Sequence, residues 1–385
     1  MISKKSILFS LALVWQTVYA APAFVPEAPS IAAKAYVLMD ADSGEIISAS
    51  NETESLAPAS LTKMMTSYVI DSELKQGNIK LDDQVNVSEK AWAKNFPGSS
   101  KMFIEPGKEV TVDQLRKGII VQSGNDASVA IAEHIAGSED AFVQVMNHHA
   151  KLLGLTGTHF VNSMGLPNPD HYTTAIDIAK LAQAIIHDFP KEYYIYAMKS
   201  FEYNNIEQSN RNRLLWDRSM NVDGLKTGHT EEAGYCLVAS AKEDDMRLIS
   251  VVMGADSENS RKQASKKLLA WGFRYYRTIT PVQAGESLHQ LKVWYGKTDQ
   301  LDVGIAKPIH ITLPKSQVKV LKAEFVATEG LEAPIQKGQE VGKLFFRVDG
   351  KDIKEVPLVA LNDLAEGGFF SRVNDWLTIK VKSLL

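Results

Sequence analysis

Residues 57–63, Ala57-Pro58-Ala59-Ser60-Leu61-Thr62-Lys63, stand at the mouth of a helix predicted to run to about Gln76-Gly77, and the rest of the chain is organised around them. Ser60 and Lys63 are three residues apart, which places hydroxyl and amine one turn apart on one helix face. A serine hydroxyl is too weak an acid to attack a carbonyl unaided at neutral pH, and a lysine held unprotonated by its surroundings can take its proton. Unpaired N–H groups and the positive dipole end at a helix start also favour negative charge developing at Ser60. Ser-x-x-Lys alone arises by chance roughly once or twice in a chain of this length. Ser72 and Lys75 repeat it, but at the far end of the same predicted helix, where the dipole has the wrong sign.

Two further motifs follow in order: Ser123-Gly124-Asn125 and Lys226-Thr227-Gly228. Ser-x-x-Lys, Ser-Asp-Asn and Lys-Thr-Gly together are the signature of penicillin-binding proteins and class A β-lactamases. With Ala-Pro-Ala-Ser-Leu-Thr-Lys, Ser-Gly-Asn-Asp-Ala, Asp-Gly-Leu-Lys-Thr-Gly-His-Thr and the C-terminal extension, the chain resembles the low-molecular-mass D-alanyl-D-alanine carboxypeptidases, the penicillin-binding protein 5 and 6 type, from about Ala32 to its end.

The resemblance implies a mixed α/β domain over residues 32–276, an antiparallel sheet with a helical lobe of the penicillin-recognising, β-lactamase-like kind. It implies Ser60 as nucleophile, Lys63 as its base, Ser123 as proton relay and Asn125 as a partner of Lys63 and of the substrate backbone. Lys226, Thr227, Gly228 and Arg261 are implied in substrate binding, and the backbone N–H groups of Ser60 and His229 in an oxyanion hole. Asp188 matches an acidic residue near a mobile site loop. The implied substrate is the peptidoglycan pentapeptide, with β-lactam antibiotics as covalent inhibitors. Two alternatives stand beside this reading: a β-lactamase, and a non-catalytic wall-binding morphology protein. Gly124 departs from the signature's Asp, and no acidic deacylation base of the class A type stands out.

Local patterning agrees with strands, helices, strands, helix. Short β-rich runs at 34–40 and 45–50 flank the turn 41–44, and Thr111 caps a helix leading into Ser123. Helices are predicted over 126–135, from Ser138 to Leu153, and over 174–186; a hairpin over 235–241 and 246–254 precedes a helix opened by Ser257. Residues 280–360 alternate Val, Ile and Leu with charges, as a small all-β domain does. Residues 367–385 form a basic amphipathic helix carrying Phe370, Val373, Trp376, Leu377 and Val381, a pattern that lies in a membrane interface.

Residues 1–20 read as a secretory signal: Lys4 and Lys5, an apolar run too short to span a bilayer, then Val18-Tyr19-Ala20. This places the mature protein on the periplasmic face of the bacterial inner membrane, attached peripherally by its terminal helix. Loss of the two lysines takes the formal charge from −4 to −6, which argues against nucleic-acid partners. Cys236, the lone cysteine, has no internal disulfide partner and sits in a strand-like run. His148 and His149 are adjacent, unsuited to joint chelation, and no metal-ligand or phosphate-cradling motif appears, so no cofactor is implied.

Overall fold

The computed structural model describes residues 24–382, so the signal-like residues 1–20 lie outside the described part of the chain. The first strands, β1 (Ala35–Asp40) and β2 (Ile46–Ser50), pair antiparallel across the expected turn. A 3-10 turn at Ala59–Leu61 leads into α1 (Thr62–Gln76), which Gly77 closes in the left-handed conformation at φ 80°. After the small hairpin of β3 (Gln84–Asn86) and β4 (Glu109–Thr111), α2 (Val112–Lys117) opens with a capping box between Thr111 and Gln114. A π-type turn over Gly118–Gln122 then delivers Ser123. The helical lobe continues through α3 (Asn125–Ala136), α4 (Glu139–Leu152) and α5 (Ala175–Asp188).

The hairpin of β5 (Ser200–Tyr203) and β6 (Ile206–Ser209) precedes three long strands, β7 (Asn221–Thr230), β8 (Gly234–Glu243) and β9 (Met246–Ala255), and then α6 (Glu258–Tyr275). The main sheet runs in the order β2-β1-β9-β8-β7, antiparallel throughout. Alternation decides which face each strand residue serves. Val37, Met39, Val238 and Val251 join the core beneath α1 and α5, whereas Leu38, Leu237, Leu248 and Val252 pack with Leu268 and Leu269 of α6. A sheet covered on both faces needs strands that are apolar almost throughout, which β8 and β9 are.

α1 is not amphipathic. Every residue from Thr62 to Asp71 is buried, including Lys63, Thr66, Ser67 and Asp71, because sheet and lobe enclose the helix. The Ser72–Lys75 repeat lies in the partly exposed last turns of this helix, where the Ser72 hydroxyl accepts from Gln76 Nε2.

The second domain is all-β. β10 (Tyr276–Val282) continues directly from α6; with β11 (His289–Lys292), β12 (Gln300–Gly304), β13 (Ile309–Pro314), β14 (Lys322–Ala327), β15 (Glu340–Val348) and β16 (Lys351–Ala360) it makes a five-stranded sheet, β11-β12-β16-β15-β14, and a β10–β13 pair. Polar contacts seat it on the first domain: the Asp40 carboxylate accepts from Thr278 at 2.5 Å, and Thr312 bonds Thr278 at 2.9 Å and Ser43 at 2.6 Å. α7 (Phe369–Lys382) closes the described chain, its Asp375 accepting the Tyr295 N–H at 2.7 Å. Phe370 (87% exposed), Trp376 (50%) and Val381 (57%) face outward, and no described helix is long and apolar enough to cross a membrane.

Candidate active site

Ser60 sits on the 3-10 turn ahead of α1, one step after Ala59, whose φ of 48° is uncommon for a residue with a Cβ. Two glycines let neighbouring chain approach this turn. A Cβ on Gly165 would lie 1.8 Å from the Ala59 carbonyl oxygen, and one on Gly228 would press on Pro58 and Leu61 at 3.1–3.3 Å. β7 therefore runs close beside the serine. Ser60, Ser123, Asn125, Thr227, Gly228, His229 and Arg261 all line one cleft of about 510 Å³.

Lys63 is fully buried at its root. Its Nζ lies 3.2 Å from Ser60 Oγ, 2.7 Å from Asn125 Oδ1 and 2.6 Å from the Met164 carbonyl oxygen. Burial pushes its pKa down to about 7, and the Arg211 guanidinium adds to the shift. Asn125 opens α3, but its side chain does not cap that helix: it reaches Lys63, and its Nδ2 donates to Ser99 Oγ at 3.0 Å. Ser123, held left-handed at φ 66° by the end of the π-type turn, accepts from Lys226 Nζ at 3.0 Å. Burial holds Lys226 well below the ordinary lysine range, with Lys63, Arg211 and Arg261 acting in the same direction.

Arg261, on the first turn of α6, is held by the carbonyls of Gly228 (3.1 Å) and Cys236 (3.4 Å) and lies 5.5 Å from the Tyr235 ring. Cys236 itself is a buried thiol, pushed up to about 11 by burial. Asp188 does not reach the cleft: its carboxylate takes the Tyr68 hydroxyl at 2.8 Å, and it is absent from the lining. The Gly124 departure from the signature has a steric setting, since a Cβ there would meet Asp126 at 3.0 Å and Met102 at 3.2 Å. Asp126 gathers the N–H groups of Met102, Phe103 and Ile104, which fixes the loop bearing Ser99 and Ser100 at the cleft rim.

Several members of the site have no sequence signal. The Met164 carbonyl is main chain, and Ser99, Ser100 and Arg211 belong to no motif; Arg211 donates to Ser100 Oγ at 2.5 Å. Residues between α5 and β7 have no assignment from sequence, although Asn204-Asn205, both left-handed at φ 51° and 59°, make the hairpin turn that asparagine pairs favour. Two guanidinium groups, Arg211 and Arg261, line the cleft, while the buried Lys63 and Lys226 bond the lining serines Ser60 and Ser123; the paired guanidinium charge suits an anionic ligand end. Among the described residues no cluster suited to a metal ion is present.

A serine beside a buried lysine of lowered pKa, on a two-faced antiparallel sheet with a helical lobe, defines an acyl-transferring serine enzyme of the penicillin-recognising class. The chain belongs to the D-alanyl-D-alanine carboxypeptidase family: residues 22–257 match that family's model, and residues 276–366 match the penicillin-binding protein 5 C-terminal domain. It is 49% identical over 358 residues to D-alanyl-D-alanine carboxypeptidase DacC of Escherichia coli, covering 92% of this chain and 90% of that one. The DacA enzyme of the same organism is 48% identical over 359 residues, covering 92% and 89%. The crystal structure of penicillin binding protein 5 from Haemophilus influenzae superposes with a TM-score of 0.86 at 47% identity, spanning 89% of this chain and all of that one.

Proposed function

We propose that Ser60 attacks the carbonyl of the penultimate D-alanine of a peptidoglycan stem pentapeptide and that Lys63 is the base. The observation that carries this is the surroundings of the lysine nitrogen. A neutral amine has two N–H groups and one lone pair; Asn125 Oδ1 and the Met164 carbonyl can only accept, so they take both N–H groups and leave the lone pair facing the Ser60 hydroxyl. A pKa near 7 keeps a large share of the lysine in that form at neutral pH. The serine proton passes to Lys63 as the C–O bond forms, and Ser123, bonded to Lys226, relays a proton to the departing amine of the terminal D-alanine.

The substrate lies along β7 as an added strand, with Thr227 and Arg261 at its carboxylate and Lys226 supplying charge beneath. Gly228 leaves room for its backbone. The backbone N–H groups of Ser60 and His229 receive the oxyanion, a role in which losing one donor typically costs about a hundred- to a thousandfold in rate. Water then releases the acyl group. The carboxylates of the cleft lining, Glu231 and Glu258, belong to the β7 and α6 ends, and Glu258 is tied to Arg261 at 3.4 Å. Deacylation of a β-lactam adduct, whose tethered amine stays in the site, is slow on this account.

The same proposal covers the ends of the chain. Residues 1–20 export the protein to the periplasm and are removed; residues 32–276 form the catalytic domain and 280–360 a spacer or docking module. Residues 367–385 attach it to the inner-membrane surface, a role supported by the exposed Phe370, Trp376, Leu377 and Val381 of α7.

A matched pair of assays on purified protein tests the catalytic reading. D-alanine is expected to be released from diacetyl-Lys-D-Ala-D-Ala while penicillin stays bound as a long-lived adduct. Rapid penicillin turnover without D-alanine release would make the protein a β-lactamase, and silence in both assays with no adduct would make it a non-catalytic wall-binding protein.

A further inference from the structure

Thr62 lies between Ser60 and Lys63 and is wholly buried. Its hydroxyl is 2.8 Å from Nε2 of His171, itself 3% exposed, on the segment between α4 and α5. The backbone N–H of Val161 donates to His171 Nδ1 at 3.3 Å, so Nδ1 carries the lone pair and Nε2 the hydrogen. The imidazole is therefore a donor toward Thr62. It stays neutral, because burial pushes its pKa down to about 4, with His159 and Lys63 acting in the same direction. The Phe160 ring stands edge-on to it at 5.7 Å and fixes its plane.

This contact is one of three ties between the same segment and the start of α1. The Met164 carbonyl accepts from Lys63, and the Ser163 carbonyl accepts from Thr66 at 2.6 Å. Ser163 is in turn held by Glu139 Oε1, which accepts its N–H at 3.1 Å and its hydroxyl at 2.8 Å. Of the three, only the histidine bond grips a residue between nucleophile and base, Thr62, which directly precedes Lys63.

We infer that His171 is a positioning residue for acylation: its Nε2–H, donated to Thr62 Oγ1, locks the turn that sets the distance between Ser60 Oγ and Lys63 Nζ. This rests on the reading of Ser60 and Lys63 as nucleophile and base. The bond touches no substrate, so its loss acts on the chemical step and leaves binding in the cleft intact. Misplacing a reacting group by about 1 Å can cost on the order of a hundredfold in rate.

The test uses purified full-length protein and five variants: Thr62→Val, which keeps shape and removes the acceptor; Thr62→Ser, which restores a hydroxyl; His171→Phe, which keeps a ring and removes the donor; the Thr62→Val/His171→Phe double variant; and Ser60→Ala. Measured are the rate of labelling by a fluorescent penicillin, kcat and KM for D-alanine release, and melting temperature. Thr62→Val and His171→Phe are expected to label and turn over roughly ten- to a hundredfold more slowly with KM within about twofold. Thr62→Ser recovers most of the rate, and the Thr62→Val/His171→Phe double variant is no slower than the worse single one. Wild-type labelling and kcat in variants that merely melt earlier would overturn the inference. Should His171→Phe fail to fold, the Thr62→Val and Thr62→Ser pair decides by itself. Persistent labelling of Ser60→Ala would instead overturn the parent reading, and loss of labelling there with normal rates in the Thr62 and His171 variants would overturn the positioning role alone.

Discussion

The two domains handle charge in opposite ways. In the first, Lys63, Lys226, Arg261, Asp71, Arg116 and Asp126 are all buried, each with named partners inside the fold. In the second, the ion pairs Lys343–Glu355 and Arg347 with Glu324 and Asp352 lie on the open face of the β14–β15–β16 sheet. Water screens exposed pairs, so they alter little; a dry lysine loses its proton more readily and becomes a base. The difference explains why the motifs that carry chemistry all fall in one domain, while the other, equally rich in charge, carries none of them.

The sharpest way to break that contrast is the buried pair Arg116–Asp71, 2.6 Å apart with each side chain 1% exposed. It ties α1 to α2, the helix whose continuation delivers Ser123. Asp71→Ala leaves a guanidinium unpaired in the core and is expected to destabilise the fold by about 3–5 kcal/mol, read by denaturant or thermal unfolding. A loss below about 1 kcal/mol would show that the pair is solvated after all. At the other extreme, Arg347→Ala removes both ion pairs of an exposed network and should leave the melting temperature unchanged within error. Truncation before Gly367 should have the smallest effect on chemistry: D-alanine release is unaltered, while the protein leaves the membrane fraction. Continued pelleting with membranes would move the attachment elsewhere in the chain.

How much of this was legible in the sequence follows the same division. Ser60, Lys63, Ser123, Asn125 and Lys226 could be found because each stands in a short local motif, and their meeting within 3.2 Å or less needed no knowledge of the path between them. The all-β second domain was legible from alternation, since exposed charge on one face leaves a period of two. α1 was harder: a helix buried on every side has no apolar stripe, so the motif at its start and Gly77 at its end could place it, but nothing in its pattern could show that Thr66, Ser67 and Asp71 are enclosed. The Met164 carbonyl was invisible because every residue has one, and Arg211 because its place depends on a hairpin folded back over the cleft. Asp188 illustrates the converse, a residue that similarity brought near the site and that the fold spends on Tyr68.

The central claim, that Lys63 works as an unprotonated base, is tested most directly by the pH dependence of Ser60 acylation by a fluorescent penicillin. Because burial lowers the lysine to about 7 and the reactive form is the deprotonated one, the rate should rise roughly tenfold per pH unit below that value and level off above it. In Lys63→Arg, which keeps the charge and does not give up its proton, acylation should be nearly abolished at every pH. A flat profile in the wild type, or normal acylation by Lys63→Arg, would contradict the account.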